Sequence, residues 1–326
     1  MKVPCVVVDR TDGEETRQTL ATADVLADDW QITVEDGTLY LPVTDPDAVP
    51  DEYTIQYHEV PAREQPTMPA DLVDFDVSYE RIGDIVIIDE GDADRAQQLA
   101  DAIVESDLPV NTVLNRASKI KGELRVRDWE ILAGDSTETV HREYGFEYAL
   151  DLDSVYFSPR LATERHRVTE QITADEQVLD MFAGVGPFVI PAAAQGATTV
   201  GVDKNEVAIQ YLNENAARNS VSDRVTAIAG DVRAVTDEYT DWADRLMMNL
   251  PHSADQFVDT ALALAGDECL IHYYDIQHED DPFGPAKQLF QEHAEEYSVT
   301  VENERIVRSY APHELNVVLD IKVSRY

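Results

Sequence analysis

The stretch at residues 178–203, VLDMFAGVGPFVIPAAAQGATTVGVD, constrains the fold more than any other part of the chain. An apolar run (Val178, Leu179, Met181, Phe182) ends in the small-residue turn Ala183, Gly184, Val185, Gly186, and a second apolar run at 199–202 ends on an acid, Asp203. This is the opening of a nucleotide-binding strand–helix–strand unit. Its glycines let the backbone approach a ligand closely, and Pro187 suits a first helical position, where its missing N–H has no intrahelical partner. An acid about 20 residues after the turn can accept hydrogen bonds from a ribose diol. The turn is not G-x-G-x-x-G, however. Pro187 and Phe188 follow Gly186, which narrows the cradle that a pyrophosphate needs. The pattern therefore favours S-adenosylmethionine, which carries ribose and adenine but no phosphate. A tight strand-to-helix connection without a ligand is the plainer reading of the same residues. Pro191 removes a further intrahelical bond, so an early kink is expected.

The alternation continues downstream. Residues 205–219 read as a helix with Ala208, Leu212 and Ala216 on one side, and 225–229 as a strand closed by Gly230 and Asp231. Residues 246–248 form a strand closed by Asn249, Leu250, Pro251 and His252. A helix at 256–264, a strand at 270–274, a helix at 287–297 and a strand at 317–323 complete the series. Such alternation predicts an α/β fold with a doubly wound parallel sheet, whose ligands sit at the carboxyl ends of the strands. Gly184, Asp203, Asp231 and Asn249 all fall at such ends. Asp203 suits the ribose and Asp231 an adenine amine. Asn249-Leu250-Pro251 would then border the methyl-bearing sulfonium, the proline fixing the backbone and the Asn amide orienting a nucleophile. Asn249 equally suits a loop or helix cap.

Upstream, residues 3–8 read as a strand, 15–26 as a helix, and 30–34 and 38–43 as strands around a turn at 35–37. So few large apolar side chains make a marginal core, as in a small appended module. Pro61, Pro66 and Pro69 then mark an extended linker. A strand at 85–88, a helix at 93–105, a strand at 112–114 and β segments at 124–131, 138–143 and 147–151 give an α+β region. The expected division is a module at 1–60, a linker at 61–74, an α+β domain at 75–152 and a nucleotide-binding domain at 153–326.

The chain carries 65 acidic against 25 basic side chains, a net charge of −40, spread along its whole length. A diffuse acidic surface suggests adaptation to high salt, where screening removes most self-repulsion, and hence a halophilic source. Against this background Arg116, Lys119, Lys121, Arg125 and Arg127 form a basic island opposed only by Glu123. It fits either an anionic partner or a solvated strand with ordinary ion pairs. Cys5 and Cys269 lie far apart with no metal-binding pattern, no apolar run approaches the roughly 20 residues of a membrane helix, and the start lacks a signal-peptide pattern. A cytoplasmic protein with reduced thiols and no metal is expected. In YFSPRLATERHRV, at 156–168, a helix starting at Pro159 would put Arg160 and Glu164 on one face, just ahead of the nucleotide-binding unit. A surface ion pair is the bland alternative.

VLDMFAGVGPF, MMNLPHSADQF, IHYYDI and YFSPRLATERHRV together resemble the archaeal and eukaryotic type of tRNA (guanine37-N1)-methyltransferase, over nearly the whole chain, with NLP and SPRLATER the most specific parts. The resemblance implies a class I (Rossmann-like) methyltransferase domain, an adjoining domain that embraces the anticodon stem-loop and a first domain that touches the tRNA elbow, in a monomer using S-adenosylmethionine. Carried across, Glu164 is the general base, Arg160, Arg165 and one of Arg125 or Arg127 bind substrate, and Tyr156, Asn249 and Pro251 line the target base. Phe182, Gly184, Gly186, Asp203, Lys204, Asp231 and Asn249 hold the cofactor. Guanine N1 bears a proton, so a carboxylate must remove it as the methyl transfers, while an arginine stabilises charge growing on O6. A chain this acidic must rely on shape, stacking and base-edge contacts more than on counterion release. Methylation elsewhere on RNA, aminocarboxypropyl transfer from the same cofactor in wybutosine synthesis, and non-catalytic RNA or cofactor binding are the alternatives. A nicotinamide oxidoreductase fits least, given the incomplete glycine fingerprint.

Overall fold

The structure is a computed structural model and describes residues 2–64, 66–119, 122 and 125–326. Lys121, Glu123 and Leu124, which the sequence reading places in the basic island and in a strand, lie outside the described residues. The chain divides into two compact units, Met1–Leu72 with Ser106–Leu108, and Val73–Glu105 with Pro109–Tyr326.

The first unit contains β1 (Lys2–Asp9), α1 (Gly13–Thr22), β2 (Thr33–Glu35), β3 (Thr38–Pro42) and β4 (Thr54–Glu59), with its sheet in the order β2-β3-β1-β4. Asp36 and Gly37 both have positive φ, 48° and 83°, the turn that matches the twist of a two-residue hairpin. The first helix stops short of the expected residue 26. Asp24 turns left-handed (φ 57°), and the N–H groups of Asp24 and Val25 donate to the carbonyls of Ala21 and Leu20, which closes the helix end while Val25 packs on Leu20. The strand expected at 30–34 shrinks to β2. β4, TIQYHE, was not expected, because a mostly exposed edge strand carries little apolar signal.

The second unit begins with β5 (Glu80–Ile82), β6 (Ile85–Ile88), α2 (Ala93–Glu105), β7 (Thr112–Arg116) and β8 (Trp129–Ala133), a sheet ordered β5-β6-β7-β8 in which α2 connects the parallel pair β6 and β7. A hairpin follows, β9 (Glu138–Glu143) and β10 (Phe146–Asp151). Next come a 3₁₀ turn (Pro159–Leu161) and α3 (Ala162–Thr169), then β11 (Gln177–Asp180), α4 (Val189–Ala194), β12 (Thr198–Asp203), α5 (Glu206–Arg218), β13 (Val225–Ala229), α6 (Thr236–Tyr239) and β14 (Ala243–Met248). The chain ends with α7 (Val258–Leu264), β15 (Ala265–His278), α8 (Gly284–His293), β16 (Tyr297–Ala311) and β17 (Glu314–Arg325).

These last strands form a seven-stranded sheet in the order β13-β12-β11-β14-β15-β17-β16. It is not wholly parallel as expected: β17 runs antiparallel to both β15 and β16. β16, which the sequence reading missed, is an edge strand that exposes Glu302, Glu304 and Arg305, and such charged edges suppress the apolar alternation that marks a strand. Helix α8 ends at His293, short of the expected 297, where Ala294 leaves helical geometry (ψ 57°).

The apolar faces explain the layering. Leu246, Met248, Ile271 and Tyr273 pack under α7 and α8 with Phe257, Leu264 and Phe290. Val178, Met247, Tyr274 and Val318 face the other way, against Val168 of α3 and Phe188. Two asparagines join the hairpin to this sheet. Asn215 of α5 and Asn219, the residue that caps its end four positions on, accept from and donate to the backbone of Ala149 and Glu147 respectively, two apart on β10, at 2.7–3.1 Å. A helical i, i+4 rise is about 6 Å and a strand i, i+2 rise about 6.8 Å, so the amides act as a further strand on an otherwise open edge.

Candidate active site

β11 has β12 on one side and β14 on the other, so the chain reverses its winding there, and a crevice opens at the carboxyl ends of these strands. The glycine turn sits at that point. The Ala183 N–H donates to Val202 O (2.8 Å), and Gly184 (φ 53°) and Gly186 (φ 94°) take left-handed conformations. A Cβ on Gly186 would stand 2.4 Å from Leu212 Cδ1, and one on Gly201 would stand 2.7 Å from Leu212 Cδ2, so both glycines make room for one buried side chain. A Cβ on Gly184 would meet nothing closer than Tyr156 O at 4.0 Å, so the space above this turn is open. Pro187 precedes α4 and does not start it. Pro191 stands third in that helix, within the first turn, where the N–H lacks an intrahelical acceptor in any case.

Asp203 ties the turn to the second strand: the N–H groups of Gly184 (2.7 Å) and Asn205 (2.8 Å) donate to its two oxygens, and burial pushes its carboxyl up. Phe182 stacks edge-on against Phe257 (4.9 Å), and the Arg233 guanidinium covers the Phe257 ring (4.9 Å). Asp231 accepts from the backbone N–H (3.0 Å) and Nε (2.9 Å) of Arg233 and from Lys204 Nζ (3.1 Å). The Arg233 side chain, helped by its backbone N–H and by Lys204, holds the Asp231 carboxyl well below the usual range against the opposing effect of burial, which ranks second to Arg233.

Asp180, absent from the sequence-derived site, is fully buried at the end of β11, where its carboxylate accepts from the Phe182 N–H (3.1 Å). Burial, with the charge of Asp203 nearby, pushes its carboxyl up to about 7. The native state thus holds a proton between about pH 4 and pH 7 that the unfolded chain releases, so its contribution to stability falls as pH rises through that window. The full penalty, at most roughly 4 kcal/mol, applies above pH 7. An Asp180→Asn variant, which still accepts from Phe182, is expected to gain stability over the unmodified protein as pH rises from 5 to 8 in denaturant unfolding. A gap independent of pH would show that Asp180 does not titrate there.

The segment that precedes this unit crosses the turn at Tyr156. The Arg125 guanidinium lies over the Tyr156 ring (5.2 Å), while Arg127 lies over Trp129 (5.4 Å) and is held down by burial and by Arg116. Arg160 pairs with Glu80 (3.1 Å), which also takes Arg116 (2.7 Å). Arg165 is buried: its Nε donates to Glu143 (2.8 Å), its Nη2 to the Ser158 carbonyl (3.1 Å), and it covers Phe157.

Arg160 and Glu164 do not share a face, and they are not each other's ion pair. Arg160 lies in the 3₁₀ turn and Glu164 in α3, so the helical phase changes between them. Glu164 is buried, its carboxylate accepting from Arg167 Nη2 (2.7 Å) and Nε (3.0 and 3.1 Å) and from the Tyr274 hydroxyl (3.1 Å). Arg167 continues to Asp320 (2.7 Å), which also accepts from His272 Nδ1 (2.6 Å) and from Asn303 Nδ2 (3.1 Å). Arg245 Nη1 stands 2.8 Å from His272 Nε2 and can only donate, so His272 carries its proton on Nδ1 and is neutral, as burial also favours.

Asn249 is half-buried after β14. Tyr274 follows the pair Met248↔Tyr273, so Glu164 reaches this end of the sheet through the strand beside Asn249. Pro251 O accepts from the Ile276 N–H (3.1 Å), which pins the turn to β15, and His252 Nε2 meets the Tyr310 hydroxyl (3.0 Å). Sequence reasoning overlooked Asp180, Arg167, Arg233, Tyr274 and Glu80. Local signals existed only for Asp180, an acid at a strand end four residues before Gly184, and for Arg167, three residues after Glu164. Among the described residues no group of His, Cys, Asp and Glu is arranged to hold a metal ion, and no helix is long and apolar enough to cross a membrane.

Three family models match this chain. The TRM5/TYW2 methyltransferase domain matches residues 139–302, a TYW2 N-terminal domain 65–137, and a tRNA methyltransferase 5 N-terminal domain 5–51. The tRNA (guanine(37)-N(1))-methyltransferase Trm5b of Pyrococcus abyssi is 38% identical, covering 98% of this chain and 98% of its own length. The tRNA(Phe) (4-demethylwyosine(37)-C(7)) aminocarboxypropyltransferase of Pyrococcus horikoshii is 35% identical but covers 75% of this chain and 88% of its own. Among solved structures, a complex of aTrm5 with tRNALeu superposes with a TM-score of 0.72 at 32% identity, covering 98% of this chain and 99% of that one.

Proposed function

The chain belongs to the TRM5/TYW2 methyltransferase family, and from that premise we infer that it is a tRNA (guanine37-N1)-methyltransferase that uses S-adenosylmethionine. One observation carries the choice within the family. The relative with this activity spans the whole chain including the first unit, whereas the aminocarboxypropyltransferase covers three quarters of it.

The residues at the strand ends fit the cofactor. The open space over Gly184 admits it, and the acids Asp203 and Asp231 stand at successive strand ends. We assign its binding to Phe182, Gly184, Gly186, Asp203, Lys204, Asp231 and Asn249. S-adenosylmethionine bound there supplies an electrophilic methyl group on a sulfonium.

We assign Glu164 the removal of the guanine N1 proton. Its Oε1 is occupied by Arg167 and Tyr274, while Oε2 has one close donor, Arg167 Nε at 3.0 Å, with Arg305 Nε farther off at 3.9 Å, so Oε2 is the oxygen with acceptor capacity left for N1–H. Of the two candidate arginines, Arg125 is the one stacked on Tyr156, which favours it over Arg127 for stabilising charge on O6. Tyr156, Asn249 and Pro251 line the base, and Arg160 binds RNA once it exchanges Glu80 for substrate. Arg165, buried against Glu143, acts by holding the segment between Ser158 and α3 in place.

The assigned division of labour is an elbow-contacting module at 1–60, a linker at 61–74, an RNA-binding domain at 75–152 that takes the anticodon stem-loop, and the methyltransferase domain at 153–326. The enzyme acts as a cytoplasmic monomer, and its acidic surface supports function at high salt. The deciding experiment incubates the protein with S-adenosylmethionine and paired transcripts bearing guanosine or adenosine at position 37, then analyses nucleosides by mass spectrometry. 1-Methylguanosine from the first transcript alone is expected. An aminocarboxypropyl adduct, or no product, would overturn the assignment.

A further inference from the structure

Three strands continue past the carboxyl edge of the parallel sheet. The last parallel pair of β14 and β15 is Met248↔Tyr273, yet β15 runs on to His278, paired with β17, which pairs in turn with β16 as far as Ala311↔Glu314. β16 is irregular at three places, Val301/Asn303, Ile306/Arg308 and Ser309/Ala311, and the last leaves Tyr310 outside the pairing. Bulges of this kind re-aim side chains, often beside active sites. In a flat sheet the lines of β14 and β16 would lie about 14 Å apart. The Tyr310 hydroxyl nevertheless stands 3.0 Å from His252 Nε2, the rings edge to face at 5.3 Å, so the extension curls over the Asn249–His252 turn.

The surface formed there is aromatic and basic on a strongly acidic protein. Tyr156 is 37% exposed and Tyr310 43%. Each carries a guanidinium on its ring, Arg125 on Tyr156 (5.2 Å) and Arg308 on Tyr310 (5.9 Å). The Nε atoms of both arginines are buried and find no acceptor among the described residues. His252 lies against Tyr310, and burial, then the charge of Arg125, lowers its imidazole against the opposing carboxylates of Glu314 and Asp275. Guanidinium-backed aromatic rings hold unpaired nucleobases by stacking, a contact that needs little counterion release.

We propose that Tyr310 and His252, backed by Arg308 and lying beside the Tyr156 and Arg125 pair, form a stacking wall for an unpaired nucleobase adjacent to the target guanosine in the RNA substrate. This rests on the tRNA reading above. The test is a binding cycle by fluorescence anisotropy, using labelled anticodon stem-loops with guanosine at position 37, either intact or abasic at the nucleotide on one or the other side of it. Tyr310→Ala is expected to weaken binding of the intact loop roughly tenfold, with S-adenosylmethionine affinity unchanged, and Tyr310→Phe to stay within about threefold. One of the abasic loops should lose a similar factor with the unmodified protein and nothing further with Tyr310→Ala. The proposal is overturned if the two losses multiply, or if the unmodified protein binds both abasic loops as tightly as the intact one, a result independent of whether the variant folds. Binding is read without turnover, so a different group transfer at position 37 would overturn the functional assignment while leaving the stacking wall standing.

Discussion

A Glu164→Gln variant is expected to slow single-turnover methyl transfer by about 10²- to 10⁴-fold while retaining affinity for tRNA and cofactor. The substitution is isosteric and keeps one carbonyl oxygen, so the Tyr274 hydroxyl can still donate to it. What it removes is the group able to take the N1 proton. Structure also imposes a cost, because the new amide nitrogen faces Arg167, a donor-only side chain that Glu164 now satisfies with three nitrogen–oxygen contacts through Nε and Nη2. Arg167 keeps Asp320 as a partner, which confines the loss of stability to roughly 1–3 kcal/mol. Reading rate, both affinities and unfolding midpoint on one preparation separates the two effects. If single-turnover rates match those of the unmodified enzyme, Glu164 is not the base and its burial with Arg167 and Tyr274 is purely architectural.

Gly186→Ala should be the most damaging small change in the cofactor turn. The residue sits at φ 94°, where a side chain is strained by about 1–3 kcal/mol, and its new methyl would stand 2.4 Å from Leu212 Cδ1. Leu212 cannot retreat toward β12, because its Cδ2 already fills the space a Gly201 Cβ would occupy. Overpacking adds about 1–3 kcal/mol, for a combined loss of roughly 2–6 kcal/mol. Relief requires the turn to move away from Leu212, which displaces the backbone that meets the cofactor, so a loss of at least about tenfold in S-adenosylmethionine affinity should accompany it. Gly184→Ala is the internal control for stability alone, since its Cβ enters the space assigned to the cofactor: φ is 53°, the added Cβ meets no protein atom closer than 4.0 Å, and the cost is about 1–2 kcal/mol. Calorimetric titration and denaturant unfolding check both. Equal losses of stability in the two variants would show that Leu212 does not dictate the turn.

Much of the fold was legible from local pattern. The helix at 93–105 and the strands at 85–88, 138–143 and 225–229 match α2, β6, β9 and β13 end to end, because each combines a clear period with flanking turn residues. The missed strands are all edges: β4 and β16 are mostly exposed, and β5 is only three residues long. The site divides the same way. Asp203 bonded to the Gly184 N–H, and Asp231 capping its own turn, are short-range arrangements that strand-end spacing announces.

What the chain's order of residues determined by itself was the winding of the sheet and the placing of glycine, acid and amide at its carboxyl ends, since spacing along a strand or helix fixes which positions share an end. Tertiary structure alone decided which charges meet. Glu164 and Tyr274 lie 110 residues apart, Arg167 and Asp320 lie 153 apart, and Arg160 finds Glu80 across 80, so no local period could have brought Tyr274 to Glu164, Asp320 to Arg167 or Glu80 to Arg160. The physical reason is that a buried charge must be paired, and its partner is whichever opposite charge the packing of distant elements delivers within reach.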